Sequence, residues 1–251
     1  MTASPEMTHR REVARRVVDE AAAEALALFR RRGELIVDAK GPQDFVSTAD
    51  RQIELMVRER LAELCPGETV VGEEEGGEIA SRYWIVDPID GTSNFLAGSP
   101  LWGVSLGFVV DDRPVAGAIR APVLGEGLAA AEGAGVLLNG EPFRRPVPPA
   151  DLQLMSMGES LGEDLEASLA IQRRLRERRW IAESFHSTSI GLLFSALGRI
   201  EGHIQPVTTM WDIAGGAAVC REAGLHVEIE RHADGAYAIR AGTPALLAAL
   251  G

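Results

Sequence analysis

Trp84-Ile85-Val86-Asp87-Pro88-Ile89-Asp90-Gly91-Thr92-Ser93-Asn94-Phe95 is the densest chemical signal in the chain. An apolar strand delivers Asp87 at its end, and Pro88 fixes the backbone turn that follows. Asp90 can then fold back beside Asp87, while Pro88 leaves neighbouring carbonyls, such as that of Ile89, free of a ladder. Gly91 permits close backbone approach, and Thr92 opens a short helix whose free amides face an anion. Two carboxylates and an anion-binding helix start thus fall within the six residues Asp87 to Thr92. The competing reading is an ordinary Asp-Pro/Asp-Gly turn with solvated acids.

Two further acidic segments change that weighing. Gly72-Glu73-Glu74-Glu75 follows the short strand Thr69–Val71, which puts glutamates at a second strand end. Trp211-Asp212-Ile213-Ala214-Gly215-Gly216 puts an aspartate in the first turn of an apolar helix. Alone, the first reads as a charged loop and the second as a helix cap. Gathered together, several carboxylates cannot all stay ionised without counter-charge. Oxygen ligands with no His or Cys nearby suit a hard ion such as Mg²⁺ rather than Zn²⁺. Two such ions on shared carboxylates polarise a phosphate and activate a water.

The rest of the chain supplies a frame for these segments. Its 251 residues, 46% hydrophobic, suffice for one large domain or two tightly packed halves. The first residues lack the apolar stretch of a secretory signal, and no uncharged apolar run is long enough to cross a bilayer. Cys65 and Cys220 match no metal or redox spacing and are expected in the core of a cytoplasmic protein. A formal net charge of −12 argues against nucleic acid or anionic membrane as partner. Of 25 basic residues, Lys40 is the single lysine.

The spacing predicts helices over about Thr8–Arg31 and Ala49–Leu64, then strands at Thr69–Gly72 and Tyr83–Val86. Gly103–Val110 and Val115–Val123 flank the turn Asp111-Asp112-Arg113-Pro114, and Asn139-Gly140 marks another hairpin. Pro146, Pro148 and Pro149 form a seam. Beyond it, strands at Leu152–Met157, Trp180–Glu183, Gly202–Val207 and Leu225–Glu230 alternate with helices near Glu163–Arg176, Ser187–Leu197 and Trp211–Ala223. Thr243-Pro244 caps a last helix. The expected division is an α+β half, 1–147, carrying metal-binding segments, and an α/β half, 148–251, completing the metal and substrate site.

In order and spacing these segments resemble the inositol monophosphatase family, whose relatives include fructose bisphosphatases, histidinol-phosphate phosphatases and phosphoadenosine phosphatases. Asp87 to Phe95 match D-P-I-D-G-T-x-N-F, Gly72-Glu73-Glu74 match G-E-E, and Trp211 to Gly216 match W-D-x-A-x-G. Asp44 to Asp50 look like D-x-V-T-x-x-D, with Ser47 for Thr. The resemblance implies a layered αβαβα sandwich, α+β or α/β in class, of the inositol monophosphatase/fructose-1,6-bisphosphatase type, and a cytoplasmic homodimer. It implies Mg²⁺-dependent, lithium-sensitive hydrolysis of a small phosphate monoester such as inositol 1-phosphate or a related polyol or sugar phosphate.

Carried over by resemblance, Glu73, Asp87 and the Ile89 carbonyl hold a first Mg²⁺, and Asp87, Asp90 and Asp212 a second. A third ion involves Glu73 and waters. Thr92, with Asp50 and Glu73, orients the attacking water, and the amides of Gly91 and Thr92 bind phosphate. Asp90, Ser187, Thr188 and Gln205 face the substrate. Glu74 and Lys40 are accessory, with Lys40 one residue nearer Asp50 than the family's spacing. His186-Ser187-Thr188-Ser189 stands where many members have Gly-Ser-Ala-Ala. Gln205 stands where members acting on inositol phosphates commonly carry an acid.

Two other classes compete. Gly158-Glu159-Ser160-Leu161-Gly162 fits the G-x-S-x-G elbow of a serine hydrolase, with Asp212 and His226 or His232 in the matching chain order. No H-G-G-G-type oxyanion segment precedes it, and the acidic clusters would then lack a purpose. A non-catalytic sugar-phosphate binder is disfavoured because every expected metal ligand is present. Gly125-x-Gly127-x-x-Ala130 nominally fits a dinucleotide fingerprint but falls in a hairpin region.

Overall fold

The computed structural model describes residues 4–41, 44–149, 152–160 and 164–250, with the side chains of 39–41, 44 and 45 outside that description. Helix α1 (Pro5–Arg30) begins where the Ser4 side chain accepts from the Met7 amide and Pro5 enters the first turn. Its buried Val13, Ala14, Val17, Val18, Ala21, Ala22 and Ala25 form one stripe. The hairpin β1 (Val37–Gly41) and β2 (Asp44–Ser47) leads into α2 (Thr48–Leu64), opened by a Ser47/Asp50 capping box.

Strands β3 (Thr69–Gly72) and β4 (Arg82–Asp90) follow, then the short helix α3 (Thr92–Ala97). After it come β5 (Gly103–Val110), β6 (Arg113–Ala121), β7 (Glu126–Ala131), β8 (Gly135–Leu138) and β9 (Glu141–Phe143). These seven strands form one sheet in sequence order, with β3 and β4 parallel and every later neighbour antiparallel. The remaining elements are β10 (Leu154–Met157), α4 (Leu165–Glu177), β11 (Ile181–Glu183), α5 (Thr188–Ala196), β12 (Gly202–Thr208), α6 (Met210–Glu222), β13 (His226–Arg231), β14 (Tyr237–Gly242) and α7 (Pro244–Leu250). Their strands make a second sheet in the order β11-β10-β12-β14-β13.

Three apolar clusters stack these elements. Helices α1 and α2 pack through Val17, Ala21, Ile53 and Val57 onto Trp84, Val86, Leu106 and Phe108. On the opposite face, Ile190, Leu193, Ile213 and Ala217 of α5 and α6 meet Ile85, Ile119 and Leu128 of the first sheet, with Ile239 and Ala241 of the second. Leu175 of α4 and Leu246 of α7 cover Met155, Met157 and Ile204 on the outer face. The layers therefore run α, β, α, β, α. Among the described residues no helix is long and apolar enough to cross a membrane.

Several elements differ from the sequence expectation. Strand β4 does not stop before Pro88 but runs on to Asp90 through an irregular register. The β5–β6 hairpin turns on Asp111 and Asp112 alone, both left-handed (φ 48° and 60°), and Arg113 and Pro114 belong to β6. Strands β1, β2, β7 and β14 were not expected. Strand β7 reads Glu-Gly-Leu-Ala-Ala-Ala, a poor strand former held by partners on both edges. The second half is not a simple βα alternation, because β14 runs antiparallel to both β12 and β13.

One contact sets where the middle helices sit. Helix α6 lies on β5 and β6 with glycine on both sides of the interface. A methyl group at Gly215 would stand 2.6 Å from Ser105 Oγ and 2.9 Å from the Leu106 carbonyl oxygen. One at Gly117 would stand 2.7 Å from Gly215 Cα, and one at Gly107 2.5 Å from Ala214 Cβ. This close approach places the first turn of α6, with Asp212, beside the end of β4. Gly215→Val is expected to destabilise the fold by about 1–3 kcal/mol through overpacking. Each kcal/mol lowers Tm by roughly 2–4 °C in a chain of this size. Gly33→Ala, with no atom within 4 Å of the added methyl, is the control and should leave Tm unchanged in the same thermal melts.

Candidate active site

The end of β4 carries a β-bulge. Asp87 pairs with Ser105 and Asp90 with Gly103, so three steps on β4 match two on β5. In a regular strand residues three apart face opposite sides of the sheet; the extra residue returns Asp90 to the side of Asp87. Pro88, which has no N–H to give the ladder, marks the irregularity. The Ile89 amide donates back to Asp87 Oδ1 at 3.0 Å, and the Ile89 carbonyl accepts from Thr92 Oγ1 at 3.1 Å. Gly91 is left-handed (φ 91°), and a Cβ there would press on Ser187 Cβ at 3.1 Å and on the His186 and Leu101 carbonyls at 3.2 Å. It leads directly into α3 at Thr92.

Asp50 reaches this point from α2. Its Oδ2 accepts from the Ser47 amide at 2.8 Å and the Ser47 hydroxyl at 2.6 Å, and Thr92 Oγ1 lies 3.3 Å from its Oδ1. The turn at Glu73–Glu75 is held by a residue that sequence reasoning missed, the buried Glu54. Glu54 accepts from the amides of Glu74 and Glu75 at 2.8 and 3.2 Å and pairs with Arg58 at 2.8 Å. Gly72 has no side chain because a Cβ would overlap the Glu54 carboxylate. The Glu73 amide bonds the Val86 carbonyl at 3.3 Å, which sets Glu73 against the end of β4. Glu74, the expected accessory residue, thus contributes its amide to this turn.

Asp212, third residue of α6, accepts from Thr208 Oγ1 at 2.7 Å and the Thr209 amide at 3.1 Å. Asp90 is bound by the start of α5. Ser187 Oγ donates to its Oδ2 at 3.1 Å, the Ser189 amide donates to the same oxygen, and the Thr188 amide approaches Oδ1 at 3.3 Å. Thr188 Oγ1 in turn lies 2.5 Å from Gln205 Oε1. The structure therefore brings Asp50, Glu73, Asp87, Asp90, Thr92 and Asp212 together, with Ser187, Thr188 and Gln205 on the α5 side. Lys40 lies in β1, its side chain outside the described residues.

Burial, reinforced by the charges of Glu73, Asp90, Asp212 and Asp50 in that order, holds the Asp87 carboxyl well above the usual carboxylate range. Burial and the neighbouring Asp212 push Asp90 up to about 6, against the opposing pull of the Ser187 and Ser189 hydrogen bonds. Burial raises Asp212 too, although it bonds Thr208, Thr209 and the Asp87 carboxyl. Desolvation likewise raises Asp50. Among the described residues no three His, Cys, Asp or Glu side chains already form a closed ligand set. Asp90 and Asp212 direct oxygens to helix-start amides and hydroxyls instead. The donor set nonetheless fits a hard cation, being all oxygen and rich in carboxylates.

The serine-hydrolase arrangement is not assembled. Asp212 bonds Thr208, Thr209 and Asp87, with neither His226 nor His232 among its partners. His226 sits exposed on β13, the edge strand of the second sheet. Residues 161–163 of the G-x-S-x-G segment lie outside the described residues. The Gly125–Ala130 segment spans a β6–β7 hairpin, where no helix follows the glycines.

Known proteins share the sequence pattern and the fold of this chain. The model of the inositol monophosphatase family matches residues 6–245. An inositol-1-monophosphatase from Mycobacterium leprae is 33% identical, over 95% of this chain and 94% of its own length. A fructose-1,6-bisphosphatase/inositol-1-monophosphatase from Thermotoga maritima is 31% identical, over 73% of this chain and 71% of its own. The crystal structure of the extragenic suppressor protein suhB from Bartonella henselae superimposes with a TM-score of 0.83 at 27% identity, covering 95% of each chain. The five-layer αβαβα arrangement is the fold of these proteins. By sequence and fold together, the chain belongs to the inositol monophosphatase family of phosphoric monoester hydrolases.

Proposed function

We propose that the chain hydrolyses a small polyol or sugar phosphate monoester in a Mg²⁺-dependent reaction at the end of β4. The observation that carries this reading is Asp87, buried and pressed above the usual carboxylate range by Glu73, Asp90, Asp212 and Asp50. Its ionised form is favoured by a bound cation, and a phosphate dianion would be repelled from that form without one. Glu73, Asp87 and the Ile89 carbonyl would hold one Mg²⁺, and Asp87, Asp90 and Asp212 another. When bound, Mg²⁺ supplies neutralisation of the phosphate charge and Lewis-acid polarisation. Relatives named for inositol 1-phosphate and fructose 1,6-bisphosphate support the polyol and sugar class.

The chain's own groups handle orientation and protons. Thr92 Oγ1, within reach of Asp50 Oδ1 and the Ile89 carbonyl, has lone pairs to take a hydrogen from the attacking water. That hydrogen bond turns the water oxygen toward phosphorus, with Glu73 as the second orienting group. As the water oxygen bonds phosphorus, its proton passes to Thr92 Oγ1 and the threonine proton to Asp50, whose burial favours the protonated form. The phosphorus–oxygen bond opposite the water breaks, and the leaving alkoxide is protonated by solvent. The amides of Gly91 and Thr92 face the phosphate, while Ser187, Thr188 and Gln205 border the leaving group.

Phosphate release across inositol, histidinol, sugar and adenosine phosphates, with Mg²⁺ and with chelator, tests this assignment. Release should require Mg²⁺, fall by about a thousandfold in Asp87→Asn, and favour polyol or sugar esters. Release that survives chelation and Asp87→Asn, but is lost in Ser160→Ala, would reverse the reading. Thr92→Ala should lower kcat about a hundredfold with KM little changed, since its task is alignment of the water. An unaltered kcat removes Thr92 from the reaction.

The raised carboxyls also give a signed pH dependence. In the cation-free protein Asp90 holds its proton up to about pH 6, whereas an unfolded Asp releases it near 3.9. The native state then binds more protons than the unfolded one, so this site costs no stability below about pH 4 and a growing amount as pH rises through 6. Denaturant melts in chelator should show Asp90→Asn gaining stability relative to the parent as pH goes from 4 to 7. Added Mg²⁺ should reverse the order at pH 7. A pH-independent difference would remove Asp90 from the repelling cluster.

A further inference from the structure

A second polar assembly lies behind the carboxylates, between the two sheets. Strands β10 and β12 run parallel with Ser156 opposite His203, and Ser156 Oγ is 2.8 Å from His203 Nδ1. His203 Nε2 is 3.4 Å from Gln205 Oε1, which also lies 2.5 Å from Thr188 Oγ1. Gln205 Nε2 is 3.3 Å from the Val207 carbonyl oxygen. Ser156, Thr188, His203 and Gln205 are all buried. Two glycines clear space for the assembly: a Cβ at Gly191 would overlap the His203 ring, and one at Gly158 would overlap the Gln205 amide.

The protons follow from what each group can do. The Val207 carbonyl can only accept, so it is the nitrogen of Gln205 that faces it. The amide oxygen is then at the other end and accepts from both the Thr188 hydroxyl and His203 Nε2. Burial lowers His203 to about 4, so the ring is neutral at physiological pH and carries one proton. With that proton on Nε2, Nδ1 is a lone pair and accepts from the Ser156 hydroxyl. The second N–H of Gln205 has no partner among the described residues. Thr188, whose amide bonds Asp90, joins this assembly to the carboxylate cluster.

We propose that Ser156 and His203 are positioning residues that lock the Gln205 amide with its oxygen inward and its spare N–H toward the leaving group of the phosphate ester. The inference rests on the phosphatase reading and adds a selection rule to it. A site edged by a fixed neutral donor favours leaving groups that present hydroxyl or carbonyl oxygens. The Gln205 amide itself offers no acceptor to one carrying an ammonium or imidazolium, because its oxygen is already engaged twice. An unpaired buried donor gains most from a ligand acceptor.

Two measurements on the full chain test it. Long-range ¹H–¹⁵N spectra of ¹⁵N-histidine protein between pH 5 and 8 should show one non-titrating imidazole, His203, protonated on Nε2. The other four histidines are exposed or half-exposed, so His203 is the single buried ring in the spectrum. A proton on Nδ1 would turn the amide around and overturn the proposal. In the second measurement, kcat/KM is compared for a polyol phosphate and an amino-alcohol phosphate. Gln205→Leu should shrink the preference for the polyol ester about tenfold, the worth of one buried hydrogen bond. His203→Phe and Ser156→Ala should each shrink it in part, and His203→Phe should add nothing on top of Gln205→Leu. Additive effects, or equal losses on both esters, would show that His203 only supports the fold and overturn the proposal. Should His203→Phe fail to fold, Ser156→Ala and the spectrum still decide. Absence of phosphate release from any ester by the parent chain would overturn the phosphatase reading itself, and the inference with it.

Discussion

Asp50, Asp87 and Asp90 lie buried, and the half-buried Glu73 and Asp212 bring their carboxyls to the same place. Like charges so placed repel, and the fold answers with protons, hydrogen bonds and helix starts. The capping donors of α5 hold Asp90, the first turn of α6 holds Asp212, and Ser47 holds Asp50. Each hydrogen bond favours the ionised form, yet burial and repulsion prevail and the carboxyls stay raised. A cluster of this kind is suited to a cation, and the cation in turn to a phosphate.

The layered architecture explains how residues from 50 to 212 arrive at one place. The bulge after Asp87 puts two aspartates of β4 on one side of the sheet. Glycines at 107, 117 and 215 let α6 settle onto β5 and β6, and Asp212 arrives with it. Glu54 and Gly72 form a matched pair that fixes the acidic turn after β3. Behind α5, the Ser156–His203–Gln205 assembly uses the same device, with glycines making room for buried polar side chains. Groups that can bind or react thus rest on backbone positions that are themselves tightly constrained.

Much of this was legible in the chain because it is local. An apolar run ending in Asp-Pro-Ile-Asp-Gly-Thr names its own strand end, carboxylates and helix start, and the helices announce themselves by spacing and caps. Strands β7 and β14 were not legible, since an Ala-Gly-rich segment becomes a strand only when neighbours on both edges recruit it. The extension of β4 through Pro88 was hidden for a related reason: proline signals a turn, and a bulge inside a ladder is decided by the partner strand. Glu54 looked like one more helix acid, though its place four residues after Asp50 on the buried stripe with Ile53 and Val57 was a usable sign. His203 and Ser156 are 47 positions apart, and only strand pairing makes them neighbours.

The central claim is that the carboxyl cluster holds protons which a divalent cation displaces. Titration calorimetry with Mg²⁺ at pH 6, in two buffers of different protonation enthalpy, measures this directly. The account predicts binding whose apparent heat differs between the buffers in the sense of proton release, and a smaller difference in Asp90→Asn. Binding with the same heat in both buffers, or no binding of Mg²⁺ even alongside phosphate, would contradict it.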